Sequence, residues 1–155
     1  LNPEAYQETQ SLISEGKSIW SLIFWMGIAA PFAEEVIFRW LVFLRMRDNM
    51  RVITAALFSG LTFGIYHMNL LQGVYATIMG LLFALILEWR GNLFASVFLH
   101  MGANIWSLVS PDLVNWMLQK NPMYILIMLF ALILILVYGF LYFRARAKGR
   151  TKRVL

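Results

Sequence analysis

The sequence predicts an all-α fold, a polytopic transmembrane bundle of about six helices. Of the 155 residues, 61% are hydrophobic and only 14% are charged, whereas a soluble domain carries roughly 25% charged residues. Residues 52–87 contain no Asp, Glu, Lys or Arg, and about 20 apolar residues suffice for a helix to cross the hydrocarbon core. Strands are disfavoured, because an open sheet cannot satisfy its backbone in lipid. Cysteine is absent, which excludes disulfides and thiolate metal sites.

Charged and turn-forming residues divide the chain into the predicted helices. Pro31 ends the first helix or opens the second, because proline suits the first turn of a helix. The polar segment 67–73 divides a stretch that is too long for one span at ~1.5 Å per residue. The sequence Ser110-Pro111-Asp112 ends the fifth helix, and residues 113–121 are predicted to be interfacial. The predicted helices cover residues 18–33, 32–47, 52–67, about 73–87, about 93–109 and 123–143.

Charge gives the domain organisation and an orientation. We predict a polar N-terminal segment (1–17), a transmembrane domain (18–143) and a basic C-terminal tail (144–155) that anchors on anionic lipid. If the six helices alternate, Lys17, three arginines at 45–51, Arg90 and the tail share one side, and Lys120 lies on the other. This bias predicts that both termini are cytoplasmic. The chain begins with Leu, so we expect that it is truncated from a larger bundle.

Three charges occur where lipid penalises them. Each of Glu34, Glu35 and Arg39 would cost about 2.5–3.5 kcal/mol if it faced lipid unpaired. Glu35 and Arg39 are four residues apart, so they share a helix face and can form an ion pair. Glu34 points about 100° away and is left for another partner. A charge-paired packing motif is the alternative interpretation.

Two histidines and an asparagine add to this polar set. His67 and His100 are the only histidines, and Asn104 follows His100 by one helical turn. A carboxylate and an imidazole can deprotonate a water, and a second imidazole with an amide can stabilise an oxyanion. These are the parts needed to hydrolyse an acyl bond without a covalent intermediate. A competing assembly is a zinc site of Glu34, His67 and His100, although no H-E-x-x-H is present.

Three motifs in this order resemble the signatures of the CPBP (Abi) family. They are Glu34-Glu35-x-x-x-Arg39, Phe63-x-x-x-His67 and His100-x-x-x-Asn104, and the resemblance covers about residues 28–107. The family contains CAAX prenyl endopeptidases and bacterial proteins linked to bacteriocin processing and self-immunity. The resemblance implies that Glu34 and His67 activate a water, that His100 and Asn104 form the oxyanion hole, and that Glu35 and Arg39 are a supporting pair. We favour this metal-free version, with no cofactor, over a zinc-dependent one.

The resemblance predicts an intramembrane endopeptidase of the bacterial plasma membrane. Its partners would be membrane lipids and a peptide or lipidated protein substrate, not nucleic acid. The predicted orientation places Glu34 and His67 towards the non-cytoplasmic side, which suits exported bacteriocin-type peptides better than prenylated proteins. Two alternatives are a non-catalytic bacteriocin-immunity or membrane interaction protein, and a small transporter or proton-relay subunit.

Overall fold

The described part of the chain is helical throughout its regular structure. The computed structural model describes residues 11, 15–134 and 137–138. Within residues 15–134, three helices are long and apolar enough to cross a membrane, and two shorter ones are also apolar. The protein is therefore an all-α integral membrane protein, as predicted. The five helices are α1 (Ile19–Arg47), α2 (Val52–Tyr66), α3 (Leu70–Arg90), α4 (Leu93–Lys120) and α5 (Met123–Leu134).

Helix α1 is one helix, and the prediction of two helices joined at Pro31 was wrong. Its first turn is capped by Ser18, whose Oγ accepts the backbone N–H of Ser21 at 3.3 Å. Two π-helical segments, Ile23–Ala29 and Val36–Phe43, flank an α-helical turn at Ala30–Glu35. In a π segment each N–H bonds five residues back. The wider turn lets the helix continue past the proline.

Helices α2 and α3 form a hairpin at the predicted break. His67 caps α2, and Met68 takes a positive φ of 53°. The side chain of Asn69 then accepts the N–H of Gln72 at 3.0 Å and caps α3. Because of this cap, α3 begins at Leu70, three residues before the expected start.

Glycines bring the two helices of the hairpin into backbone contact. A Cβ added at Gly60 would lie 2.7 Å from the carbonyl oxygen of Thr77, and one added at Gly80 would lie 2.9 Å from the Cα of Gly60. Small residues at such spacing let membrane helices approach closely. The backbones of α2 and α3 therefore meet at Gly60 and Gly80.

One end of α1 is fixed against α2 and α3. A buried apolar cluster of Phe43, Ala55, Ala56, Ala84 and Leu87 fills the space between them. Beside it, Arg47 Nη1 lies 2.8 Å from Glu88 Oε2. Lys17 precedes the opposite end of α1. The prediction that Lys17 and the arginines at 45–51 share one side of the membrane assumed two helices between them, and that assumption does not hold.

Helix α4 continues through Pro111, so the predicted stop at Ser110-Pro111-Asp112 was wrong. Proline removes one backbone donor, and membrane helices tolerate that loss when neighbouring groups re-satisfy the backbone. The residues expected to be interfacial therefore lie largely within α4. The chain separates into two compact units, one ending at Leu108 and the other beginning at Val109.

In the second unit, the ring of Trp116 stacks on Tyr124 with centroids 6.2 Å apart, and Asn121 Oδ1 accepts the N–H of Met123 at 2.9 Å before α5. The predicted domain bounds at 18–143 cross the boundary between the units and stay a prediction. Most of the polar segment 1–17, the basic tail 144–155 and the end of the sixth predicted helix lie outside the described residues.

Candidate active site

Glu34 and Glu35 lie in the α-helical turn of α1 between the two π segments. Consecutive helical residues point about 100° apart, so the two carboxylates leave the helix in different directions. The side chain of Glu35 is fully buried, while that of Glu34 is 15% exposed. The turn thus presents one fully buried carboxylate, that of Glu35, and one partly exposed carboxylate, that of Glu34.

Arg39 neutralises the buried carboxylate of Glu35. Its Nε lies 3.2 Å from Glu35 Oε2, and neither side chain is exposed. Its Nη2 donates a hydrogen bond to the carbonyl of Gly80 on α3 at 3.3 Å. The guanidinium carbon also lies over the rings of Phe63 and Phe83, 4.6 and 5.1 Å from their centroids. A carboxylate, a carbonyl and two ring faces therefore take the place of water around this cation.

His100 of α4 lies between the two carboxylates. Its Nδ1 is 2.9 Å from Glu35 Oε1, and its Nε2 is 3.5 Å from Glu34 Oε2. The ring stacks on Phe83 with centroids 4.6 Å apart and meets the edge-on ring of Phe63 at 5.4 Å. The packing of two aromatic rings fixes the imidazole plane, so each ring nitrogen faces a different carboxylate.

This arrangement constrains the protons at the site. A neutral imidazole has one N–H, so donation of Nδ1–H to Glu35 leaves a lone pair on Nε2. Nε2 faces Glu34 Oε2 at 3.5 Å, so a second proton on the ring would be shared with that carboxylate. The hydrogen bond between Glu35 and His100 was not predicted from the sequence, which pairs Glu35 with Arg39 alone.

His67 reaches the same region from the end of α2. Its Nδ1 lies 2.8 Å from the carbonyl oxygen of Phe63. Its ring meets Phe63 edge-on with centroids 4.7 Å apart, and Tyr66 at 5.8 Å. Phe63 also meets the ring of His100 edge-on, with centroids 5.4 Å apart. With Nδ1–H donated to a carbonyl, Nε2 is the nitrogen left to act as an acceptor.

Asn104 and Ser59 bond to carbonyls within the π segments of α1. Asn104 Nδ2 donates to the carbonyl of Met26 at 2.8 Å. Ser59 Oγ, which is buried, donates to the carbonyl of Phe38 at 2.8 Å. Each π segment therefore receives a hydrogen bond from a side chain of another helix.

The structure thus brings four predicted site residues, Glu34, Glu35, Arg39 and His100, into one contact network. His67 and Asn104 lie beside it, and their hydrogen bonds among the described residues go to backbone atoms. Sequence reasoning missed Ser59, Gly80 and Phe83, which have no polar neighbours to mark them. The spacing of four between Gly60 and Gly64 is typical of close helix contacts. It was an available signal for the contact between α2 and α3 in which Gly80 lies.

The zinc alternative needs Glu34, His67 and His100 to converge on one ion. Over the described residues, no group of three His, Asp or Glu side chains is arranged to hold a metal ion. Nδ1 of His100 faces Glu35, and Nδ1 of His67 faces a backbone carbonyl, so Nε2 of each ring is the nitrogen left for another partner.

Comparison with known proteins decides the family. A family model described as type II CAAX prenyl endopeptidase Rce1-like matches residues 16–106, which is more than half of the chain and includes all three motifs. The chain belongs to the Rce1-like family. The resemblance to CAAX prenyl endopeptidases of the CPBP family is thereby confirmed.

A relative of this Rce1-like chain is a Bacillus subtilis (strain 168) protein named "Putative membrane peptidase YdiL". The two are 26% identical over 103 residues, a region that covers 66% of the chain and 42% of the relative. The chain thus spans less than half the length of this curated relative. No solved structure matches the chain. The roles predicted for the individual site residues are not tested by these matches and stay predictions.

Proposed function

We propose that this chain carries the catalytic core of an intramembrane endopeptidase in which Glu34 activates the attacking water. The observation that carries the proposal is the placement of Glu34. Its partly exposed carboxylate lies 3.5 Å from His100 inside an apolar helix bundle, next to a fully buried ion pair. A packing motif alone needs no accessible second carboxylate, whereas a general base does.

Glu34 and His67 would hold and deprotonate the water. The water oxygen attacks the peptide carbonyl carbon, its proton passes to the Glu34 carboxylate, and the same proton then goes to the leaving amine nitrogen. His67, whose Nδ1 faces the Phe63 carbonyl, presents Nε2 as a second acceptor for the water. This division gives the water one charged and one neutral partner.

His100 would stabilise the oxyanion that forms on the peptide carbonyl. Its Nδ1 lies 2.9 Å from Glu35 Oε1, and this contact orients the ring. A proton on Nε2 would make this nitrogen a donor beside Glu34 for the substrate carbonyl. Preorganised donors of this kind contribute about 10²–10³-fold in turnover. The second N–H of Asn104 would supply a further donor.

The substrate would be a membrane-associated peptide or a lipidated protein, and membrane lipids the surrounding partner. The Rce1-like family match and the relative that is named a membrane peptidase support a protease of this kind. We further propose the bacterial plasma membrane as its location, a cytoplasmic C-terminus, and activity without a metal or other cofactor.

The test is cleavage of a membrane-tethered peptide by the chain in vesicles. Glu34→Gln keeps size and hydrogen bonding but removes the base, so turnover should fall by about 10²–10⁴-fold. Glu88→Gln is the matched control, because Glu88 pairs with Arg47 away from the site, and it should cleave like wild type. A chelator should change nothing, and zinc-restored activity after chelation would replace the metal-free reaction with a zinc-dependent one.

Two outcomes would end the proposal. Cleavage by Glu34→Gln at the wild-type rate would exclude this residue as the base. If neither wild type nor any variant cleaves the peptide, and Glu34→Gln loses binding of a partner, the non-catalytic interaction protein is favoured.

A further inference from the structure

The amide of Asn104 donates to the backbone of a helix far away in sequence. Its Nδ2 lies 2.8 Å from the carbonyl oxygen of Met26, 78 residues earlier. We infer that this amide replaces the backbone N–H that Pro31 lacks. Asn104 is thereby a positioning residue for the α1 turn Ala30–Glu35, which carries the two carboxylates.

The local hydrogen-bond pattern leaves Met26 without a backbone donor. In the π pattern the carbonyl of residue 26 would accept from residue 31, which is proline and has no N–H. In the α pattern it would accept from Ala30, but the N–H of Ala30 bonds to Trp25 instead. A backbone carbonyl left unpaired in apolar surroundings is destabilising. The Asn104 amide supplies the missing donor at normal hydrogen-bond length.

A glycine independently marks the same contact. Gly27 is buried, and a Cβ added there would lie 2.7 Å from Cγ1 of Ile105, the residue after Asn104. A larger residue at position 27 would hold α4 away from α1. The close approach at Gly27 is therefore what allows a side chain as short as Asn104 to reach the adjacent Met26 carbonyl.

The consequence is a two-point attachment of α4 to α1. Asn104 holds the turn before Pro31, and His100, one turn earlier on α4, contacts the carboxylates just after it. The two contacts bracket the segment that presents Glu34. The amide keeps its oxygen and its second N–H, so this use of Asn104 leaves a donor for the reaction.

A double-mutant cycle tests the inference. Pro31→Ala restores an N–H at residue 31, so it should remove the need for the amide. In the Pro31 chain, Asn104→Ala should raise the unfolding equilibrium constant roughly tenfold. In the Pro31→Ala chain, the same substitution should change it little. Equal effects in both backgrounds would overturn the inference.

Ser59 provides the control cycle. Ser59→Ala removes a donor to the Phe38 carbonyl, which has no relation to residue 31, so its effect should be the same with and without Pro31. If Asn104→Ala fails to fold in the Pro31 chain, recovery of folded protein by Pro31→Ala gives the expected result, and failure to recover overturns it.

Cleavage by the same variants tests the positioning role. Pro31→Ala should restore part of the turnover that Asn104→Ala loses, because it re-fixes the backbone before Glu34. No recovery of turnover in the folded double variant would overturn the positioning role. Because the stability cycle needs no catalysis, its result stands apart from the fate of the proposed peptidase function.

Discussion

Removal of Arg39 is the sharpest test of the buried charge network. Arg39→Ala would leave Glu35 as a buried carboxylate without its cation, and loss of one partner of a buried pair costs about 3–5 kcal/mol. Nε and Oε2 are 3.2 Å apart but do not form a hydrogen bond, and Glu35 keeps its bond to His100. We therefore expect the low end, about 3 kcal/mol, or roughly a hundredfold in the unfolding equilibrium constant.

The assay is reversible unfolding in mixed micelles, with the far-ultraviolet circular dichroism as the signal. Arg47→Ala is the matched control, because Arg47 also pairs with a glutamate, at 2.8 Å, but its side chain is 36% exposed. Exposed pairs contribute about 0–1 kcal/mol. Equal losses in the two variants, or an unchanged stability of Arg39→Ala, would refute the argument that burial makes this pair essential.

Two further predictions concern packing and orientation. A methyl group on Gly64 would overlap Thr77, so Gly64→Ala should destabilise the chain by about 1–3 kcal/mol. The control in the same unfolding assay is Gly102→Ala, which should change stability little because nothing lies within 4 Å of the added Cβ. Because the chain has no cysteine, Lys17→Cys and Arg90→Cys can be labelled singly in sealed vesicles with an impermeant thiol reagent. Since α1 crosses once, the two should react from opposite sides; labelling of both from one side would contradict a single crossing.

The fold class followed from the sequence, because composition and charge spacing alone decide that the chain is a membrane helix bundle. Two of the predicted helix ends did not follow, and both errors involve proline. Pro31 and Pro111 were taken as helix ends, which is their usual effect in water. In α1 the π segment and the Asn104 amide compensate for the missing donor, and a compensation from a residue 78 positions away leaves no local trace in the sequence.

The site was predictable to the extent that charge in an apolar chain is conspicuous. Glu34, Glu35, Arg39 and His100 stand out, and the structure joins them. The hydrogen bond of Glu35 to His100 was missed because helical spacing explains only contacts within one helix. The aromatic side of the site was missed for a different reason, since Phe83 is one apolar residue among many and only tertiary packing places it on His100.

The i,i+4 spacing of Glu35 and Arg39 also bears on how the chain enters the bilayer. During synthesis α1 emerges before α3 and α4, which supply the Gly80 carbonyl and His100. A helix presenting isolated charges would be retained at the translocon until those partners arrived. Because Glu35 and Arg39 lie on the same helix, the pair can form as soon as α1 winds, which leaves Glu34 as the unmatched charge in the middle of this helix, while Arg45 and Arg47 lie at its end. We therefore expect insertion of α1 to depend far more on Arg39 than on any residue of the later helices.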